Sequence, residues 1–266
     1  MKKINYLILF VFTVFILLAG TSNASIVVLN GLSHENQVQA GETYRGTIEI
    51  QNTGSNGKQV QIYIRDYWFS YSGENRHDPG GTLKRSNARW ITFDPELLTL
   101  DSSQVATINY EVKIPQNDTL RGTYWSVLMV EGVTSPDVDN INQGVQINTA
   151  IRYAVQIVSN VGTNAKSDLQ FLGLELAKQE DQNVLNVAVG NVGECILRPE
   201  MSLELFDDLG NSAGIIKADR RKTFPGTSVL STLVLEGIKP GNYSGVLIAD
   251  CGEDRLFGSN LSIEIE

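Results

Sequence analysis

Residues 89–131 read RWITFDPELLTLDSSQVATINYEVKIPQNDTLRGTYWSVLMVE. Between Val105 and Ile114 the residues alternate. Val105, Thr107, Asn109, Glu111 and Lys113 take one side, and Ala106, Ile108, Tyr110, Val112 and Ile114 take the other. A period of two is the mark of a strand with one buried face. Pro95 cannot donate a ladder hydrogen bond and biases Asp94 away from helix, so Asp94-Pro95-Glu96 is a turn or kink. Pro115–Asp118 is a second turn, and Thr123–Val130 is apolar enough for a central strand. The stretch therefore reads as strands and turns of a β-sandwich.

The same signal extends in both directions. Tyr44–Gln51 and Gln59–Phe69 alternate around the turn cluster Asn52–Gly57. Tyr71–Asn87 is polar and Gly-rich and reads as a long surface loop, in the first place a solvated hairpin extension. Thr134–Gln143 is a polar loop. Gly144–Ile157 is the cleanest alternation in the chain, with Val145, Ile147, Thr149, Ile151, Tyr153, Val155 and Ile157 sharing a face. Small polar residues at Ser159–Asp168 suit a linker. Seven further strands follow, at Leu169–Lys178, Val184–Asn191, Leu197–Phe206, Ala213–Lys217, Ser228–Leu235, Gly241–Asp250 and Leu256–Glu266. Frequent turns without a helical period indicate an all-β chain of two tandem immunoglobulin-like sandwiches, over 25–160 and 169–266, joined by 161–168.

Residues 1–24 carry Lys2 and Lys3, an apolar run from Leu7 to Leu18, and small residues at Ser22 and Ala24. That is the pattern of a secretory signal peptide cut before Ser25, and it predicts a periplasmic or extracellular protein with no membrane span in its mature part. About 240 residues then remain, enough for two domains of ordinary size. The formal net charge is −9. A chain this acidic is a poor partner for nucleic acid or for an anionic membrane surface. The two cysteines, Cys195 and Cys251, read as one disulfide in an exported protein.

The opening stretch resembles the N-terminal domain of the periplasmic pilus-assembly chaperones. Gln51-Asn52-Thr53 matches their Asn-containing turn, and Ile91–Leu100 looks like their aromatic-apolar-Pro-Leu-Leu segment. A strand such as Tyr124–Val130 and a long alternating strand such as Gly144–Ile157 follow in that family too. The resemblance implies donor-strand pairing, in which that long strand joins the unfinished sandwich of an exported, pilin-like subunit. It makes Val145, Ile147, Ile151 and Tyr153 the donor residues. The family also holds the subunit's terminal carboxylate with two basic residues. Here the first strand, Ile26–Asn30, has neither Arg nor Lys, and Gln156 stands where the lysine would align. Arg152, on the same polar face, is the substitute anchor.

Nothing in the spacing of His34 and His77 suggests a nucleophile and base, so both read as surface histidines and the protein as a non-enzyme. No cofactor and no metal is expected. Asp207 and Asp208 belong to a hairpin turn, and Asp219–Lys222 to a solvated edge. Trp125 is assigned to the core. Tyr67 and Trp68, beside the polar loop that holds His77, are candidates for a recognition face. The residues leave three readings open: a chaperone-like binder of extended segments, a surface adhesion module binding a protein or glycan through Tyr67–Asn87, and a structural module.

Overall fold

The computed structural model describes residues 26–133, 151–253 and 255–266. The expected leader 1–24 and donor residues Val145 and Ile147 lie outside them.

The first half contains β1 (Ile26–Val28), β2 (Ser33–Val38), β3 (Thr43–Asn52), β4 (Lys58–Phe69), β5 (Asn75–Pro79), β6 (Ile91–Asp94), β7 (Leu97–Leu100), β8 (Val105–Lys113), β9 (Gly122–Val133) and β10 (Arg152–Val161). One sheet runs β1-β3-β8-β6. The other runs β2-β10-β9-β4-β5, with β7 also on β4. Between them lies a core of Ile48, Ile50, Ile62, Ile108, Leu128, Val155 and Ile157, among others. Alternation placed these residues on one face, and their burial is what makes each strand specify its sheet. The chain crosses from one sheet to the other at most of its turns. Gly31, at φ 89°, lets β1 pair in one sheet and β2 in the other. β6 and β7, on either side of the cis Asp94–Pro95 peptide, belong to different sheets.

The second half contains β11 (Leu169–Gln179), β12 (Gln182–Asn191), β13 (Glu200–Phe206), β14 (Ser212–Lys217), β15 (Ser228–Val234), β16 (Gly241–Asp250) and β17 (Leu256–Ile265). Its sheets run β11-β12-β15 and β14-β13-β16-β17, around Leu185, Val187, Met201, Leu203, Leu233 and Leu247. The chain is thus two immunoglobulin-like sandwiches.

Both sandwiches use the same asparagine device. Fully buried Asn52 donates through Nδ2 to the carbonyls of Asn56, Leu100 and Asp101, and its Oδ1 accepts the Gly54 N–H at 3.0 Å. Asn191 donates to the carbonyls of Cys195 and Thr223 and accepts the Gly193 N–H at 3.0 Å. In each, one side chain supplies the donors and acceptor that a strand end would otherwise lack.

Several expectations need correction. β10 runs four residues past Ile157, through what read as the start of a linker. Ser159 and Asn160 are small and polar, yet their side chains are satisfied inside: Ser159 Oγ meets Tyr44 OH at 2.9 Å and Asn87 Nδ2 at 3.1 Å, and Asn160 Oδ1 accepts from Thr123 Oγ1 at 2.7 Å. The loop Tyr71–Asn87 contains β5, hydrogen-bonded to β4, and the turn after it is bound to buried Asp66, whose carboxylate accepts the N–H groups of Gly81, Thr82 and Leu83. His34 points inward, with Nδ1 2.9 Å from Tyr110 OH and Nε2 buried without a partner among the described residues. Cys195 and Cys251 are free thiols rather than a disulfide. Cys195 Sγ is turned toward Ser167 Oγ at 3.2 Å, while Cys251 is buried in the second core, where desolvation holds its thiol above the usual pKa.

The sandwiches pack against one another. Trp125 is buried as expected, but in this junction rather than in a sandwich core. Its ring stacks on Phe224 at 4.7 Å, beside Val158, Ile196 and Phe69. Gly122, at φ 83°, sits where an added Cβ would lie 2.0 Å from the Glu194 carbonyl, so only glycine fits. The Thr123 N–H bonds that carbonyl at 2.8 Å, and Thr123 Oγ1 accepts the Ile196 N–H at 2.7 Å. Arg121 Nε holds the Glu194 carboxylate at 2.9 and 3.0 Å.

Candidate functional site: the free edge of β10

β10 pairs antiparallel with β9 along its whole length, but parallel with β2 only from Gln156 to Val161. From Arg152 to Val155 its other side has no neighbour among the described residues. The Gln156 N–H reaches the Leu32 carbonyl at 2.9 Å, so even-numbered residues of β10 direct their backbone groups toward that side. Backbone direction alternates along a strand. The N–H and C=O groups of Arg152 and Ala154 therefore point out of the free edge, while Tyr153 and Val155 bond to β9.

Side chains alternate as well. Val155 is buried in the core and Tyr153 packs half-buried against it, whereas Arg152, Ala154 and Gln156 lie on the opposite face, toward the second sandwich. Ile151, just before the strand, is 45% exposed. Of the donor residues that the resemblance implies, the described ones divide: Ile151 is available at the surface and Tyr153 is committed to its own core.

Arg152 is engaged already. Its Nε donates to Glu131 Oε1 at 2.7 Å, and Tyr63 OH donates to Glu131 Oε2 at 2.7 Å. Burial acts to raise the Glu131 pKa, but these two hydrogen bonds outweigh it and hold the carboxyl below its usual range. Tyr63 responds in the opposite sense, raised by burial and by the neighbouring carboxylate.

The free edge ends at an ionic cluster. Lys222 Nζ donates to Ser33 Oγ at 2.7 Å, Glu35 Oε1 at 3.0 Å and Gln156 Oε1 at 3.2 Å. Arg198 also pairs with Glu35. Desolvation acts to raise the Glu35 pKa, and the hydrogen bonds from Arg198 and Lys222 more than reverse it. The run Asp219–Lys222 is therefore not wholly a solvated edge, because Lys222 pins the start of β2 to β10. Neither Arg198 nor Lys222 could be picked out in the sequence, since their partners lie more than 60 residues away.

The proposed recognition trio separates. Tyr67 and His77 stack at 5.1 Å on the face toward the second sandwich. Trp68, the next residue on β4, leaves the strand on its opposite face but also meets the second sandwich, donating from Nε1 to the Gly226 carbonyl at 2.8 Å, and carries Arg76 over its ring at 4.4 Å. Burial, with Arg152 nearby, holds the His77 pKa below its usual value, so the ring is neutral at pH 7. Rings continue from Tyr67 to Phe69 at 5.3 Å and from Phe69 to Phe224 at 6.3 Å. With Ala154, Gln156 and Lys222 they line a cavity of ≈ 570 Å³.

No protein-family profile matches the sequence, and no curated protein matches it. Solved structures similar to it include three of pilus or fimbrial chaperones. A chain from the chaperone–tip adhesin complex of CFA/I fimbriae biogenesis is 10% identical, covers 90% of this chain and 98% of its own, and has a TM-score of 0.48. The class 5 fimbriae chaperone CfaA is 10% identical, with 91% and 99% covered and a TM-score of 0.47. A chain from the Salmonella enterica SafA pilin–SafB chaperone complex is 13% identical, with 91% and 99% covered and a TM-score of 0.42.

Proposed function

We propose that this chain is an exported, non-catalytic binding module that captures an extended segment of another exported protein by adding it as a strand to β10. One observation carries the reading. Among the described residues, the backbone groups of Arg152 and Ala154 form an open strand edge that stops where β2 begins to pair at Gln156. An open edge with unpaired N–H and C=O groups is a template for another strand. Its position next to the junction of two packed sandwiches gives the incoming strand a wall on one side. On this reading residues 1–24 are the leader, the protein works in the periplasm or outside the cell, and the partner is a pilin-like subunit, as for the chaperones it resembles.

The edge can be tested with one substitution. Ala154→Pro removes an N–H that points outward and leaves the β9 ladder intact, because proline is tolerated on edge strands. An alternating Val/Thr peptide of about eleven residues, capped with Lys for solubility, spans the edge with residues to spare. Its affinity for the full chain is expected to fall about fivefold to tenfold in the proline variant, the equivalent of one hydrogen bond of ~1 kcal/mol or slightly more. Equal affinity for both proteins would remove β10 from the mechanism.

A further inference from the structure

The cavity beside the free edge lies between the β2-β10-β9-β4-β5 sheet and Lys222 and Phe224 of the second sandwich. One wall is the run of rings His77, Tyr67, Phe69 and Phe224. The other is Ala154 and Gln156 of β10, with Leu32 and Ser33 at the point where β2 closes the edge. The volume falls within the range of side-chain and small-ligand pockets.

Its one amine is spent. Lys222 has three N–H donors, and Ser33, Glu35 and Gln156 accept all three. An incoming carboxylate would have to displace Glu35, which Arg198 also holds. His77 is neutral at pH 7. The cavity thus offers ring faces and no unsatisfied cation, which favours an uncharged planar group.

Resting on the strand-capture reading, we propose that this cavity receives one aromatic side chain of the captured segment. A strand paired with the free edge places alternate side chains on the same face as Ala154, with Cβ atoms about 4.5–5.5 Å from its methyl. The small methyl leaves the β10 side of the cavity open to such a ring. The segment cannot continue along β10 beyond Gln156, because Leu32 and Ser33 already occupy that edge. The pocket therefore reads a residue near the end of the paired stretch.

The test uses the full chain and the Lys-capped Val/Thr peptide carrying Ala, Phe or Asp at one position, scanned along both faces. At one register the Phe peptide is expected to bind roughly tenfold tighter than the Ala peptide, and the Asp peptide no tighter than Ala. Ala154→Leu, which fills the entrance and keeps the backbone of β10, should abolish the gain of Phe over Ala. His77→Ala, at an exposed position, should reduce the same gain and serves if the leucine variant folds poorly. Equal binding of Phe and Ala at every register, a preference for Asp, or a Phe gain that survives both variants overturns the pocket. If all peptides bind equally but lose affinity in Ala154→Pro, the strand edge stands and the pocket alone fails. If none binds, both fail.

Discussion

At the scale of single residues, the fold rests on polar side chains that alternation cannot reveal. Asn52 and Asn191 each satisfy several backbone groups at a strand end. Replacing either by alanine leaves buried carbonyls and an N–H unpaired, at a cost of about 2–4 kcal/mol. Urea unfolding of Asn52→Ala and Asn191→Ala should show that loss in both. A change under 0.5 kcal/mol would mean that the strand ends find other partners. The turn around Asn52 was readable as a turn, because Gly54 and Gly57 mark it. The repeat at Asn191 was hidden, because its neighbours Val192 and Glu194 look like strand residues. His34 was misread for a similar reason. Its flanks, Ser33 and Glu35, are polar because they join an interface cluster, while the imidazole itself faces Tyr110.

At the scale of elements, period two placed nearly every strand within a few residues, since burial of one face is the force that sets both pattern and pairing. The failures cluster where polar residues are buried. Ser159 and Asn160 extend β10 where a linker was expected, and Asp66 tethers a segment that read as a surface loop or solvated hairpin. β2 is a further case. Its ladder to β10 and its ion pairs to the second sandwich explain why SHENQV, a poor strand by composition, forms one. Glu35 helps to hold it, paired to Arg198 and Lys222 of the second sandwich. Its folded pKa lies below the reference 4.5, so its contribution is fully present above pH 4.5 and is lost as pH falls through the folded value. Thermal melts should show Glu35→Gln less stable than the wild type at pH 7, with the gap closing as pH drops below 4.5. A gap that stays constant with pH would show that the carboxylate charge is not what holds β2.

At the scale of the whole molecule, the two sandwiches act as one body because their junction combines a ring stack, backbone hydrogen bonds and ion pairs. None of this was legible beforehand: Trp125 read as core, and its partners Ile196 and Phe224 fall between the expected strands. The architecture was legible, and so was the strand that carries the site. What the sequence could not show is that β2 pairs with Gln156–Val161 and that Arg152–Val155 have no neighbour on that side among the described residues, since the pairing depends on Gly31 redirecting the chain and on Lys222 from a distant segment. The strand-capture claim is tested most directly by amide hydrogen exchange with and without the Val/Thr peptide. The amides of Arg152 and Ala154 should exchange fast in the free protein and become protected when the peptide binds, while Tyr153 and Val155, already bonded to β9, change little. Binding that leaves Arg152 and Ala154 unprotected, or that protects Tyr71–Asn87 instead, would contradict the account.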